Sequence, residues 1–227
     1  MPCDAADDPL AAARARSIAY HGIAELLLPP TDELAEALES GAFAGELEAA
    51  AETLGLCHAA APLLASLGAP PDRQALEHAQ MAMFGPSVGV DHPPYSTEYD
   101  PGGAYRKEHE LADIAGYYRA WGLALDERLH ERIDHIGVET DFLAFLSLKE
   151  AYELSCDRPE RAADVQRHAD RFAATYLARA AHTLAERLAR SNRRSAFTHA
   201  VAMLCALLDA RGIPRDGRPR IVSLPVL

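Results

Sequence analysis

The stretch DHIGVETDFLAFL, residues 134–146, predicts a helix that carries one acidic residue on its apolar face. Asp134 has a side chain suited to capping the start of this helix. Side chains then recur on one face at helical spacing, and that face carries Ile136, Glu139, Leu143 and Leu146. A carboxylate among apolar side chains costs free energy unless it is paired, so Glu139 marks a contact that the fold must satisfy.

The partner of Glu139 has several candidates. His135 lies four residues earlier on the same side of the helix and could pair with the carboxylate. Alternatively, Glu139 satisfies the backbone amides of a loop, or it is a polar anchor for a bound peptide or a neighbouring loop. The spacing is compatible with each of these interpretations.

Helical periodicity continues through most of the chain, and no alternating strand pattern interrupts it. Pro62 is expected to break or kink one of the helices. The predicted helices cover residues 9–28, 31–41, 45–67, 71–84, 106–125, 134–155 and 159–191, followed by a last helix from about residue 197 that ends at Gly212. We therefore predict an all-α fold, a single helical-bundle domain of about eight helices over residues 1–212, with an irregular Arg- and Pro-containing tail over residues 213–227.

The charge of the chain argues against a broad nucleic-acid-binding surface. The formal net charge is −12, whereas binding to phosphates needs a basic face. The charge is also uneven, because the first 60 residues hold eleven acidic and two basic side chains, and residues 191–227 hold six Arg and two Asp. An acidic body suits a cationic partner.

The cysteines and the amino terminus indicate the compartment. Four cysteines, Cys3, Cys57, Cys156 and Cys205, are scattered without a CxxC pair, which favours reduced thiols over a disulfide framework or a zinc site. The first residues, MPCDAADD, lack the basic start and apolar run of a secretory signal. The sequence also lacks a run of about 18 apolar residues, the length that spans a membrane. We expect a cytoplasmic protein without stable membrane insertion.

Residues 85–105 form the one long segment with an irregular pattern, and it is rich in Pro and Gly. Loops of this length inside compact domains are uncommon and are often functional. A plain surface crossover is the simpler alternative.

Two motifs in a fixed order resemble the TorD/DmsD/NarJ family of redox enzyme maturation chaperones. The first is Phe84-Gly85-Pro86 followed by HPPYSTEY at residues 92–99, and the second is YRAWG at residues 118–122 followed by DHIGVETDFL at residues 134–143. The resemblance covers about residues 10–210. Ser96 and Thr97 depart from the Glu and Ser that are usual in the loop, and Thr140 replaces a usual Leu. Residues 172–180 lack a His and a Trp that this helix often carries.

The resemblance implies a helical cup that is a chaperone rather than an enzyme and holds no cofactor of its own. Its implied partners are the apo catalytic subunit of a molybdenum oxidoreductase and the N-terminal twin-arginine signal peptide of that subunit. The chaperone would assist insertion of the molybdopterin cofactor before export or assembly, as a monomer or a domain-swapped dimer. The residues implied in client binding are Phe84, Pro86, Pro94, Tyr95, Tyr99, Trp121, Asp134, His135 and Glu139.

Other functions are compatible with the same residues. A metal-dependent hydrolase on a helical bundle could use the pairs His135/Glu139 and His109/Asp113, although the sequence has no HExxH motif. A generic helical adaptor without a molybdenum client is a further alternative.

The carboxyl-terminal residues loosely mimic a signal peptide. Arginines are followed there by Ile221, Val222 and Leu224. The tail could lie in the groove of its own chain or of a neighbour. A tail that packs on the surface is the simpler interpretation.

Overall fold

The computed structural model describes residues 8–68, 73–84, 92–100, 103–190 and 195–216. Its helices are α1 (Pro9–Leu27), α2 (Asp32–Glu39), α3 (Ala42–Thr53), α4 (Cys57–Leu67), α5 (Arg73–Phe84), α6 (Gly103–Ala120), α7 (Ile136–Ser155), α8 (Pro159–Phe172), α9 (Ala178–Arg190) and α10 (Ala196–Ala210). A π-helical turn, Ala173–Leu177, joins α8 to α9 into one continuous run. Short 3-10 helices lie at Ser96–Tyr99 and Glu127–Leu129.

The predicted all-α bundle is confirmed. Within the described ranges there is no β-strand, and the α8–α9 run counted as one gives nine helices. None of these described helices combines the length and the apolar character that crossing a membrane requires. The predicted boundary between residues 1–212 and the tail at 213–227 stays a prediction, because residues 217–227 lie outside the described part of the chain.

Helix α7 is the centre of the bundle. Among the described helices, α7 packs most extensively against α1, and α8 packs against another of its sides. Helices α3 and α10 pack against α1, and α4 closes the layer behind them. Because neighbours enclose α7, even its polar residues Glu139, Thr140 and Ser147 are buried.

Aromatic rings connect α6 to this centre. The ring of Tyr118 lies 4.9 Å from that of Phe142 on α7, and Phe142 lies 4.8 Å from Phe172 on α8, measured between ring centroids. The Tyr118 hydroxyl donates a hydrogen bond to the carbonyl of Ile133, just before α7. Edge-to-face aromatic contacts add to the burial energy, so this cluster fixes the end of α6 near the start of α7.

The predicted helix over residues 45–67 is wrong in its continuity. The structure divides it into α3 and α4 at Gly55, which has φ +68°, while Pro62 lies inside α4 without ending it. The Leu56 N–H donates to the Ala51 carbonyl and the Gly55 N–H to that of Glu52, the pattern that closes helices at a left-handed glycine. Glycine adopts that conformation without steric cost, and it decides the break here.

The predicted helix over residues 106–125 is too long at its carboxyl end. Helix α6 ends at Ala120, because Gly122 has φ +73° and closes it in the same way as Gly55 closes α3. The following segment, residues 123–131, therefore runs outside the helix and becomes available as a wall beside α7.

Gly137 lies where the end of α1 meets the start of α7. A Cβ at this position would be 2.9 Å from Cγ of Leu28 and 3.1 Å from Nδ1 of His135. Both distances are below ordinary van der Waals contact, so the close approach of α1 requires glycine here.

We predict that Gly137→Ala lowers the free energy of unfolding by about 1–3 kcal/mol, because Leu28 must shift to admit the methyl group. Urea denaturation measures the change. Gly116→Ala in α6 is the matched control, since a Cβ there has nothing within 4 Å. The control should be neutral or stabilising by up to about 1 kcal/mol, because alanine favours helix. Equal effects of the two substitutions would contradict the packing argument.

Candidate functional site

The segment 93–99 crosses the amino-terminal end of α7 and pairs with it through the backbone. The N–H of Ser96 donates to the carbonyl of Asp134 at 2.8 Å, and the N–H of Ile136 donates to the carbonyl of Pro94 at 2.7 Å. Tyr95 and His135 thereby form an isolated antiparallel bridge. The two sequence motifs therefore lie against each other.

Asp134 is buried beneath this segment, with 0% of its surface exposed. Its carboxylate accepts a hydrogen bond from Oγ1 of Thr97 at 2.6 Å and bonds from Nε and Nη2 of Arg132 at 2.9 and 2.7 Å. Arg132 also lies 3.4 Å from Glu98, which Lys107 contacts as well. The buried charge of Asp134 is thus paired and hydrogen-bonded, as a charge out of water must be.

Glu139 is also 0% exposed, and Oγ of Ser96 donates to its Oε1 at 2.6 Å. No hydrogen-bond partner for its Oε2 lies among the described residues. Burial raises the pKa of Glu139 well above its ordinary value of 4.5, although the Ser96 hydrogen bond acts in the opposite direction. Glu139 therefore anchors a neighbouring segment through a hydroxyl, and within the described ranges neither backbone amides nor His135 supply its partner.

His135, rather than Asp134, caps α7. Its Nδ1 accepts a hydrogen bond from the N–H of Gly137 at 3.0 Å, which assigns the ring proton to Nε2. Burial, with a smaller effect from the charge of Arg132, lowers the pKa of His135 to about 3. The ring is therefore neutral near physiological pH, and the prediction that Asp134 caps this helix is wrong.

The two tyrosines of the segment differ in their surroundings. Tyr95 is half-buried, its hydroxyl donates to Oε2 of Glu131 at 3.3 Å, and the guanidinium of Arg132 lies 4.2 Å from the centre of its ring. Tyr99 is buried, and its hydroxyl donates to the carbonyl of Pro93 at 2.7 Å. Tyr95 thus faces the surface, whereas the buried Tyr99 links the end of the segment to its start at Pro93.

A cleft of about 480 Å³ opens above Tyr95, and we call it the polar cleft. It is lined by Pro29, Pro30, Arg73, Glu77, Gln80, Met81, Pro94, Tyr95, His130, Glu131 and His135. Three predicted site residues, Pro94, Tyr95 and His135, are among them. The lining carries two carboxylates, one guanidinium and an exposed methionine, so a cationic group with an apolar stem fits its chemistry.

Glu131 is the carboxylate of the polar cleft that forms no ion pair with another described residue, although the charge of Arg132 acts on it from a greater distance. Among the described residues, none of its ion-pair distances to a basic side chain falls within 4 Å, whereas Glu77 lies 2.9 Å from Nε of Arg73, which also contacts Asp32. Burial raises the pKa of Glu131, and hydrogen bonds from Tyr95 and the backbone offset part of this. A half-desolvated carboxylate of this kind gains from a guanidinium.

A second cleft, of about 310 Å³, adjoins the first and is mostly hydrophobic; we call it the apolar cleft. It is lined by Leu28, Tyr118, Leu123, Ala124, Leu125, Asp126, Leu129, Val138, Asp141, Phe142 and Phe145. Residues next to each other in sequence line the two clefts: Leu28 lines the apolar cleft and Pro29 and Pro30 line the polar cleft, and Leu129 lines the apolar cleft while His130 and Glu131 line the polar cleft. We call these two neighbouring clefts together the two-part groove.

The remaining predicted residues lie elsewhere. Asp134, Glu139 and Tyr99 are buried below the segment and cannot touch a client in this conformation. Trp121 lines a separate cleft of about 670 Å³ between α6 and α8, which we call the α6–α8 cleft, with its ring 5.7 Å from that of His168. Pro86 lies outside the described residues, and of Phe84 only the backbone, at the end of α5, is described.

The sequence carries little signal for the groove residues that were missed. Glu131 lies three residues before Asp134, outside the motif, and Leu125 and Leu129 are four residues apart, a spacing that a helix also has. Periodicity therefore does not distinguish these residues from a helix face.

The residue pairs of the hydrolase alternative gain no support from their positions. Nδ1 of His135 already accepts a hydrogen bond from the N–H of Gly137, and Oε1 of Glu139 accepts one from the hydroxyl of Ser96. In the part of the chain that is described, no group of three or more His, Cys, Asp or Glu side chains is arranged to hold a metal ion.

We predict that Glu139→Gln flattens the pH dependence of stability. A raised folded-state pKa stabilises the fold at pH below 4.5, and this contribution is lost as pH rises through the raised value. As the pH rises above about 4.5, the free energy of unfolding of the wild-type chain should therefore fall relative to that of the variant. Glu110, whose pKa burial raises to about 7, titrates in both proteins, so most of its own contribution cancels in the difference between the two curves, although its charge also raises the pKa of Glu139. Parallel curves from chemical denaturation would refute the assignment.

Comparison with known proteins places these features in a family. A family model described as the nitrate reductase delta subunit matches residues 41–182, which include α3 to α8 and both motifs. No curated protein and no solved structure matches the chain. This family is TorD-like, and its members are chaperones in the maturation of molybdenum enzymes. Because the match spans well over half of the chain, the protein belongs to the nitrate reductase delta subunit family.

Proposed function

We propose that this protein binds the arginine-led N-terminal leader of an apo molybdenum oxidoreductase in the two-part groove and holds that client in the cytoplasm during cofactor insertion. The observation that carries the proposal is that a carboxylate-bearing cleft and an apolar cleft are lined by adjacent residues of the same segments, 28–30 and 123–131. A leader with two arginines before an apolar helix presents the same two chemistries in the same order. Electrostatic and apolar complementarity together give specificity for such a peptide.

The polar cleft supplies the contact for arginine. Glu131 offers a half-buried carboxylate, and the Tyr95 hydroxyl fixes one of its oxygens. The ring of Tyr95 and the side chain of Met81, 61% exposed, flank the place where an arginine stem would lie. A guanidinium can donate two hydrogen bonds to one carboxylate, whereas a lysine cannot match that geometry.

The apolar cleft supplies the contact for the hydrophobic part of the leader. Leu123, Leu125 and Leu129 are only partly buried in the free protein, and they face Val138 and Phe145 of α7. Burying their remaining apolar surface under a client helix stabilises the complex at roughly 25 cal/mol per Å². The segment 123–131 is outside any α-helix, so it can adjust to side chains of different size.

The buried carboxylates act on this groove as positioning residues. Asp134 and Glu139 hold Thr97 and Ser96, and this holds Pro94 and Tyr95 against α7 as the wall of the polar cleft. Their role is thus to fix the binding surface from below, which replaces the direct client contact expected from the sequence.

We predict that Glu131→Gln weakens binding of a synthetic leader peptide, with two adjacent arginines before an apolar run, by about tenfold. A charge-assisted hydrogen bond contributes about 1.5–3 kcal/mol, and glutamine keeps an acceptor for the Tyr95 hydroxyl. Isothermal titration calorimetry at fixed salt measures the affinity.

Glu52→Gln is the matched control, because Glu52 lies exposed on α3, away from the groove. It should leave the affinity unchanged. A peptide with both arginines replaced by glutamine should bind Glu131→Gln no more weakly than it binds the wild-type chain. If the Glu131→Gln loss persists with that peptide, the carboxylate does not bind arginine.

We predict that Leu125→Gln also weakens binding of the leader peptide by about tenfold, because less apolar surface is buried in the complex. The same substitution should make the heat-capacity change of binding less negative. Leu148→Gln is the control, because Leu148 is a 58% exposed leucine of α7 outside the groove. Equal affinities of the two variants would show that the apolar run binds elsewhere.

A further inference from the structure

We infer that the carboxyl-terminal tail of this chain, residues 217–227, occupies the two-part groove when no client is bound, with Arg218 and Arg220 at the carboxylates of the polar cleft. The inference rests on the proposed function, because it gives the tail the chemistry of the client leader. The tail would then act as a competing internal ligand that an authentic leader must displace.

The described chain ends close to the segment that walls the groove. The carbonyl oxygen of Asp216, the last described residue, accepts a hydrogen bond from Nη2 of Arg179 at 2.9 Å. Nη1 of Arg179 lies 3.5 Å from Oδ1 of Asp100. Asp100 directly follows the 3-10 helix Ser96–Tyr99, and Tyr95 on the other side of that helix lines the polar cleft.

The tail is long enough to reach the groove from there. Asp100 and Tyr95 are five residues apart, a separation of at most about 18 Å. The eleven residues from 217 to 227 can span up to about 36 Å when extended. Arg220 is four residues beyond Asp216, so about 14 Å of extended backbone plus its own side chain is available to reach the polar cleft, and the remaining seven residues, up to about 25 Å, can continue toward the apolar cleft.

The order of residues in the tail fits the order of the two clefts. Arg218 and Arg220 come first and meet the polar cleft, where Glu131 forms no ion pair with another described residue. The apolar residues Ile221, Val222 and Leu224 follow, and the apolar cleft lies beyond. An arginine-led leader would bind with the same polarity.

The α6–α8 cleft is a less suitable host for the same arginines, although it too lies near Arg179. The described residues that line it include one basic side chain, Arg171, and one acidic side chain, Asp113, so their formal charges cancel. The polar cleft has Glu77 and Glu131 against Arg73 and is therefore net negative in the described lining. Charge complementarity selects the polar cleft.

The first test reverses the tail charges in the full-length chain. We expect the variant Arg218→Glu/Arg220→Glu to bind the synthetic leader peptide about threefold or more tightly than wild type, because removal of an internal competitor raises the apparent affinity. The control Arg14→Glu/Arg161→Glu makes the same change in net charge at two exposed positions of the body and should not tighten binding. Equal affinity of the tail variant and wild type overturns the inference.

The second test supplies the tail in trans. A labelled peptide of residues 217–227 is titrated into the Arg218→Glu/Arg220→Glu chain and followed by fluorescence anisotropy. It should bind, be displaced by the leader peptide, and bind about tenfold more weakly when Glu131→Gln is added. No binding, or binding that Glu131→Gln does not change, overturns the inference.

The two proposals fail in different ways. If the leader peptide binds in a Glu131-dependent manner but the tail variants have no effect, the tail inference falls and the proposed function stands. If the leader peptide binds none of the chains, the proposed function falls, and the titration in trans still decides the place of the tail.

Discussion

Two acidic side chains are buried at the start of α7, and the way they are satisfied determines the position of the whole 93–99 segment. Asp134 takes a hydroxyl from Thr97 and the guanidinium of Arg132, and Glu139 takes the hydroxyl of Ser96. Displacing the segment would leave Glu139 without its hydrogen-bond partner among the described residues and Asp134 with Arg132 alone, and a buried acceptor that loses its hydroxyl costs about 1–3 kcal/mol. The hydrogen bonds from Ser96 and Thr97 to the two buried carboxylates therefore hold the segment in place.

The groove follows from this arrangement, because several helix termini converge on the same place. Helix α1 ends before Pro29 and Pro30, α6 ends at Ala120 and is closed by Gly122, and α7 begins after His135. Segments between helices thus form most of the walls, and they bring carboxylates and leucines side by side.

Some of this could be predicted from the sequence, and the limits have physical causes. Periodicity predicted the all-α fold and placed Glu139 on the apolar face of α7. It could not identify Ser96 as the partner, because the two residues are 43 positions apart and only the folded chain joins them. It also could not decide between Asp134 and His135 as the cap, since both side chains accept hydrogen bonds and only tertiary pairing with Arg132 removes Asp134 from that role.

The departures from the family pattern acquire a reason at the same place. Ser96 stands where the resembling loops usually carry Glu, and in this chain a third carboxylate would lie against Glu139. The hydroxyls of Ser96 and Thr97 can each donate a hydrogen bond to one of the two buried acids, which a carboxylate at either position could not do. The groove residues Glu131 and Leu125 escaped prediction because they belong to no regular element, so neither period nor capping marks them.

The most direct measurement is hydrogen–deuterium exchange of the full-length chain with and without the synthetic leader peptide. The account predicts that protection rises in residues 123–131, in the 93–99 segment and in the first turns of α7. Protection confined to the α6–α8 cleft, in residues 112–121 and 168–176, with no change along 123–131, would contradict it.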